Sequence, residues 1–100
     1  MKGVITHSVF SRLKLEPGSS EEKAFIDTCR RVLKPIAGVE DFRVLKEVSP
    51  KNEFAFGLTM NFPDQAAYDA YNNHPDHVNF VQGTWIPNVE EFQEIDYIET

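Results

Sequence analysis

An alternating run of large and small side chains in the middle of the chain most restricts its fold. From position 54 to position 62, large apolar residues occupy every second position, and small or polar residues lie between them. This two-residue period predicts a β-strand over Phe54–Phe62 with one large apolar face and one small face. The large face comprises Phe54, Phe56, Leu58, Met60 and Phe62. We expect a helix against the small face and a second subunit against the large one.

Three more segments have the alternation of strands. They are residues 4–14, 39–48 and 91–98, and the turn-forming residues 49–52 make the second and third strands a hairpin. On the first strand, His7 shares a face with apolar residues. A position near a sheet edge, with a hydrogen bond to a neighbouring group, would explain a histidine on this face.

Two helical segments complete the pattern. The first follows a capping box formed by Ser19 and Glu22 and ends at Pro35. The second begins after Asp64, its predicted N-cap. The order strand, helix, strand, strand, helix, strand predicts a ferredoxin-like βαββαβ fold of the α+β class, with a four-stranded antiparallel sheet and helices on one face.

The second helix is interrupted near position 73. Pro75 suits the first position of a new helix, which makes His74 its cap. We expect Gly83 to end this helix and Trp85 to lie in a connection, where its ring is exposed or interfacial.

Length and charge limit the classes of partner. A chain of 100 residues predicts one domain over residues 1–100, with a core small enough to gain stability from a second copy. The net charge of −6 disfavours nucleic acid and anionic membranes, which bind clustered basic residues. No apolar run approaches the roughly 20 residues of a membrane-spanning helix. Cys29 is the only cysteine, which predicts a buried thiol and a reducing, cytoplasmic location.

The chain has three histidines, and their spacing leaves several roles open. His74 and His77 could share one helical face, yet zinc needs three or four protein ligands, so we expect no metal and no cofactor. Histidine also serves as a general base, and a nearby tyrosine can stabilise a developing enolate. Tyr71 and His77 lie on either side of the helix break and could converge on one cavity. Equally, Tyr71 could belong to the core and His77 could bond backbone groups.

Several of these residues occur in a recognisable arrangement. His7 in the first strand, Phe62 before the second helix, the run Tyr71-x-x-His74-Pro75-x-His77-x-x-Phe80 and the segment 39–49 resemble the stress-responsive A/B barrel (Dabb) family. The resemblance spans nearly the whole chain. It implies a homodimer, a dimeric α+β barrel in which two ferredoxin-like sheets face each other around a cavity.

The resemblance also implies candidate chemistry. A plant branch of the family, of the olivetolic acid cyclase type, closes a linear polyketide by aldol condensation without a metal. In that branch a tyrosine and a histidine matching Tyr71 and His77 serve catalysis, and a histidine matching His7 lines the pocket. Those cyclases carry a histidine where this chain has Phe56, whose bulk would narrow the cavity.

We therefore expect a small organic molecule between the two sheets. His77 would act as general base, Tyr71 would stabilise an enolate-like oxygen, and His7 would orient the ligand. Further ligand contacts are expected from His74, Phe56, Leu58, Val9 and Trp85. Two alternatives remain open. One is a noncatalytic stress or structural dimer, in which the histidines and Tyr71 stabilise the helix junction. The other is a cofactor-free monooxygenase-like dimer.

Overall fold

The computed structural model describes residues 3–100 and forms one sheet with helices on one side. Its elements in chain order are β1 (Ile5–Leu13), α1 (Ser20–Leu33), β2 (Glu40–Lys46), β3 (Phe56–Phe62), α2 (Gln65–Asn73), α3 (Pro75–Phe80), a π-helical turn (Val81–Trp85), α4 (Ile86–Asn88) and β4 (Val89–Ile98). The predicted strands and the two main helical segments are confirmed, and their ends differ from the prediction by one to two residues at most sites.

The sheet has the strand order β2-β3-β1-β4, and every neighbouring pair is antiparallel. This is the predicted ferredoxin-like arrangement. Strand β1 lies inside the sheet between β3 and β4, so the predicted position of His7 near a sheet edge is wrong. The register places His7 opposite Met60 on β3 and opposite Asp96 on β4. Side chains of directly opposed residues project from the same face, and all three therefore point towards the helices.

The expected covering of the third strand is also wrong. Leu58, Met60 and Phe62 are at most 5% exposed, and they belong to the core between the sheet and the helices of the same chain. The ring of Phe62 packs against Tyr68 and Tyr71 of α2, at centroid distances of 5.0 Å in both cases. The helices therefore cover the large face, because only that face offers enough apolar surface for a core. The small face carries Gly57, Thr59 and Asn61 and is the side without helices.

The start of α1 matches its prediction with one difference. The backbone amide of Glu22 donates to the Ser19 hydroxyl at 3.1 Å, as expected for the N-cap. The Glu22 carboxylate accepts from the amide of Gly18 rather than from that of Ser19. Gly18 has a φ of 78°, a conformation that glycine adopts without strain, and this places its amide within reach. Each side chain thus satisfies one free amide at the helix start.

The segment after α3 differs most from the prediction. Gly83 does not end the helix, since the chain continues through the π-helical turn into α4. Trp85 is neither exposed nor in a connection: it is 6% exposed and packs against Phe25, Phe80 and Phe92. A π-helical turn contains one more residue than an α-helical turn. That extra residue rotates the Trp85 side chain inwards.

Two further features concern the helices. Cys29 of α1 is fully buried, as predicted, and burial raises the pKa of its thiol to about 12, so the thiol is unreactive at neutral pH. Within residues 3–100, none of the helices is both long enough and apolar enough to cross a membrane.

Candidate functional site

A cavity of about 230 Å³ lies between the sheet and the helices of a single chain. The polar groups on its wall are His7, Tyr71, His77 and Glu94, and the rest of the lining is apolar or aromatic. The residues expected to line a cavity between two sheets therefore lie between the sheet and the helices of one chain, because these helices cover the large face of β3. This volume is below the roughly 300–1,000 Å³ of pockets for drug-sized ligands, so the cavity suits a smaller organic molecule with a few polar groups.

Tyr71 and His77 meet at the break between α2 and α3. Their ring centroids are 4.4 Å apart. The break lies at His74, whose extended backbone, with ψ at 134°, follows from the steric effect of Pro75 on the preceding residue. This change in chain direction places the last turn of α2 and the first turn of α3 at the wall of the same cavity.

The Tyr71 side chain is buried but its hydroxyl is free. Tyr71 is 2% exposed, and its hydroxyl has no hydrogen-bond partner in the part of the chain that the structure describes. Burial raises the pKa of Tyr71, and the neighbouring Tyr68 raises it further. The phenol is therefore protonated at neutral pH and can donate a hydrogen bond to a ligand in the cavity.

His77 is half-buried and neutral at physiological pH. Its Nδ1 lies 3.1 Å from the backbone carbonyl oxygen of Asn72. Burial lowers the pKa of His77, and this effect outweighs the opposing effect of that hydrogen bond. A carbonyl oxygen only accepts, so Nδ1 carries the proton and Nε2 carries a lone pair. Such an imidazole can act as a base near neutral pH.

His7 lies deeper in the site and is 3% exposed. Its Nδ1 is 2.5 Å from Asp96 Oδ1 and 3.0 Å from the Tyr68 hydroxyl. Its ring centroid is 6.4 Å from that of Tyr71. The central position of β1 thus places His7 beneath Tyr71.

The cavity brings together most of the predicted site residues. His77, Tyr71, His7, Leu58, Val9 and Trp85 all line it. Two predicted ligand contacts, His74 and Phe56, do not belong to its lining. Phe56 begins β3 opposite Ser11, two residues before Leu58. The predicted narrowing of the cavity by the Phe56 ring therefore has no counterpart in the structure.

His74 caps helix α3, as predicted. Its Nδ1 accepts a hydrogen bond from the backbone amide of Asp76 at 3.0 Å. We expect His74→Ala to lower the free energy of unfolding by about 1 kcal/mol, the usual cost of losing an N-cap. Chemical denaturation measures this loss. His74→Asn retains a capping acceptor and should stay close to wild type. If His74→Ala instead weakens ligand binding and leaves stability unchanged, His74 is a ligand contact after all.

Tyr68, Asp96 and Glu94 belong to the site but were not predicted from the sequence. Asp96 and Glu94 lie within the predicted strand 91–98, where no motif sets them apart from the other acidic residues nearby. The two-residue period of β4 places both on one face, but only the register against β1 brings Asp96 to His7. Tyr68 is one helical turn before Tyr71, and this spacing was the one signal that could have indicated a shared face.

Metal ligation has no evident site among residues 3–100. No group of three or more His, Cys, Asp or Glu side chains in this range has the arrangement needed to hold an ion. His74 and His77 make separate hydrogen bonds, to the amide of Asp76 and to the carbonyl of Asn72.

The sequence profile of the stress responsive A/B barrel domain matches residues 5–99. The chain belongs to the Dabb family. This match covers β1 to β4 and therefore all of the side chains that line the cavity. No curated protein matches the sequence.

Solved structures agree with the Dabb assignment. A Dabb family protein with a ferredoxin-like fold from Mesorhizobium loti has 48% sequence identity and a TM-score of 0.97, over 98% of each chain. A dimeric ferredoxin-like protein of unknown function from Thermobifida fusca has 15% identity and a TM-score of 0.80, over 96% of this chain and 91% of that one. The hydroxynitrile lyase from Passiflora edulis has 15% identity and a TM-score of 0.86, over 100% of this chain and 96% of that one. The last two likenesses are of fold alone.

Proposed function

We propose that this Dabb protein binds a small neutral carbonyl compound in its cavity and transfers a proton at the carbon next to the carbonyl group. The observation that carries the proposal is the contact between Tyr71 and His77, a free phenol and a neutral imidazole whose rings lie 4.4 Å apart on one apolar cavity. A base and a hydrogen-bond donor are the two groups that enolisation requires.

Each side chain has one role in the proposed step. The Nε2 atom of His77 takes the proton from the α-carbon, and the bonding electrons move to the carbonyl oxygen. The Tyr71 hydroxyl donates a hydrogen bond to that oxygen as negative charge develops on it. His7 orients the ligand from beneath. The enolate then accepts a proton or attacks a second carbonyl group, as in an aldol condensation.

Glu94 favours neutral ligands over anions. It is exposed and lies on β4 at the cavity wall. Its carboxylate lines the same cavity as Tyr71 and His77. Burial lowers the pKa of His77, and the negative charge of Glu94 opposes that effect. The same charge repels a carboxylate ligand. The name of the hydroxynitrile lyase likewise refers to a small organic compound, which agrees with a ligand of this size.

Deuterium exchange tests the proposal directly. Neutral methyl ketones, with acetophenone as the aromatic member, are incubated with the protein in deuterated water, and proton NMR follows the loss of α-protons. Benzoate is the anionic counterpart. Trp85, the only tryptophan, lines the cavity, so its fluorescence reports binding. We expect faster exchange than with an equal concentration of free imidazole and weaker binding of benzoate. If no ketone shows either deuterium exchange or a fluorescence change, the proposal is overturned.

A homodimer forms part of the proposal. The side of the sheet without helices carries Phe10, Leu45, Ile95 and Tyr97 between polar residues. A solved structure of the same fold is described as dimeric. A second copy packed sheet to sheet would cover these apolar side chains, and a stable dimer buries about 1,600 Å² in total.

The lone buried Cys29 agrees with a cytoplasmic location, which we also propose.

Solution mass measurements test the dimer. We expect the wild-type protein to have twice the mass of its 11.5 kDa chain in sedimentation equilibrium. Ile95→Asp places a charge on the side of the sheet without helices and should raise the dissociation constant by about 30-fold or more, the effect of losing an interface hot spot. Val48→Asp changes a residue that is 88% exposed and should leave the mass unchanged. A wild-type monomer at micromolar concentration would exclude the dimer.

A further inference from the structure

His7 and Asp96 form a directly opposed pair on neighbouring strands. The register of β1 against β4 places them side by side, and His7 Nδ1 lies 2.5 Å from Asp96 Oδ1. His7 is almost fully buried, whereas the Asp96 side chain is 40% exposed. The carboxylate therefore connects a buried ring to the protein surface.

Tyr68 completes a triangle with these two side chains. Its hydroxyl donates to Asp96 Oδ2 at 2.8 Å and lies 3.0 Å from His7 Nδ1. Burial raises the pKa of Tyr68, and Asp96 raises it further, so the phenol retains its single proton. With that proton directed to Oδ2, the contact between Asp96 Oδ1 and His7 Nδ1 needs a proton from the imidazole. Nδ1 of His7 is therefore the protonated nitrogen, and Nε2 carries the lone pair.

We propose that Asp96 and Tyr68 are positioning residues, which hold His7 in its Nδ1–H tautomer so that Nε2 accepts a hydrogen bond from a ligand hydroxyl in the cavity. A carboxylate or carbonyl partner on one ring nitrogen sets the tautomer of a histidine. The inference rests on the proposed function in one respect, since the ligand occupies the same cavity.

This arrangement narrows the class of ligand. His77 also has its Nδ1 bonded to an acceptor, so in the neutral state both imidazoles have a free Nε2. Tyr71 supplies a hydrogen-bond donor. A complementary ligand has a carbonyl oxygen for Tyr71, an acidic carbon for His77 and a hydroxyl group for His7. Neutral hydroxy ketones combine these groups. Ketones without a hydroxyl group leave the Nε2 atom of His7 without a hydrogen-bond donor from the ligand.

The tautomer of His7 is measured without any ligand. Nitrogen-15 NMR of the full chain, at a pH about two units above the ordinary histidine pKa, distinguishes a protonated Nδ1 from a protonated Nε2. We expect the Nδ1–H form in wild type and a mixture of tautomers in Asp96→Asn and Tyr68→Phe. Asp69→Asn removes a charge one residue from Tyr68, where the carboxylate contacts Gln65 and not His7, and should leave the signal unchanged. An Nε2–H form in wild type would overturn the inference even if no variant folds.

Binding supplies a second measurement. The hydroxyacetophenone isomers and acetophenone are titrated against Trp85 fluorescence. We expect at least one isomer to bind wild type about threefold to tenfold more tightly than acetophenone, the value of one neutral hydrogen bond, and this preference to vanish in Asp96→Asn. Equal binding of all these ketones to wild type would overturn the assignment of a hydroxyl ligand. If no ketone binds but His7 has the Nδ1–H form, the proposed function fails and the positioning role of Asp96 and Tyr68 stands.

Discussion

Replacing His77 by alanine should lower the rate of ketone deuterium exchange by about 10²- to 10⁴-fold, the usual contribution of a general base. His77 is the imidazole in contact with Tyr71, and its removal leaves the phenol without a base beside it. Binding of acetophenone should change much less, because the cavity is mainly apolar. NMR gives the exchange rate, and Trp85 fluorescence gives the affinity.

The pH dependence of exchange distinguishes this role. Burial lowers the pKa of His77 below its ordinary value of 6.5, so the neutral base persists to a more acidic pH. Glu94 opposes this shift, and His7 and His74 reinforce it. We expect the wild-type rate to fall only below pH 6.5 and this acidic limb to disappear in His77→Ala. His74→Asn is the matched control: it removes one of the reinforcing influences, so its acidic limb should persist and move slightly to higher pH. Unchanged exchange in His77→Ala would exclude His77 as the base.

Replacing Phe62 by alanine should lower the free energy of unfolding by about 3–5 kcal/mol, the range for truncating a buried aromatic side chain. Phe62 is fully buried and contacts both Tyr68 and Tyr71. Because the helices of the same chain cover it, the loss should not depend on protein concentration. Urea denaturation at two protein concentrations measures both the loss of unfolding free energy and its dependence on concentration.

Phe92→Ala is the control for Phe62. Phe92 is 50% exposed, so its truncation should cost only about 1 kcal/mol. If the loss in Phe62→Ala changes with protein concentration, a partner subunit covers part of the ring, as the sequence pattern alone had suggested.

The strands and the helix break were predictable because their signals are local. Alternation over Phe54–Phe62 needs only neighbouring residues, and Pro75 restricts His74 whatever surrounds them. The same pattern does not reveal what covers each face. Alternation shows which residues share a side of the sheet, but the helices that pack on that side come from distant parts of the chain. The assignment of the large face to a partner subunit failed for this reason.

The site was only partly predictable for a related reason. Tyr71 and His77 lie near each other in sequence and flank a visible break, so their convergence could be expected. Asp96 is 89 positions from His7, and only the register between β1 and β4 brings the two together. A shift of one residue would turn Asp96 to the opposite side of the sheet. The burial of Trp85 likewise depends on the π-helical turn, which the glycine at position 83 does not predict.

The π-helical turn makes cavity size sensitive to chain length at a single place. One residue in a helix corresponds to a rotation of about 100°, so deleting Gly83 would restore ordinary helical winding and swing the Trp85 indole away from the cavity. Relatives of this protein that gain or lose one residue between Val81 and Trp85 should therefore differ in cavity size, while Tyr71 and His77 keep their positions at the break between α2 and α3.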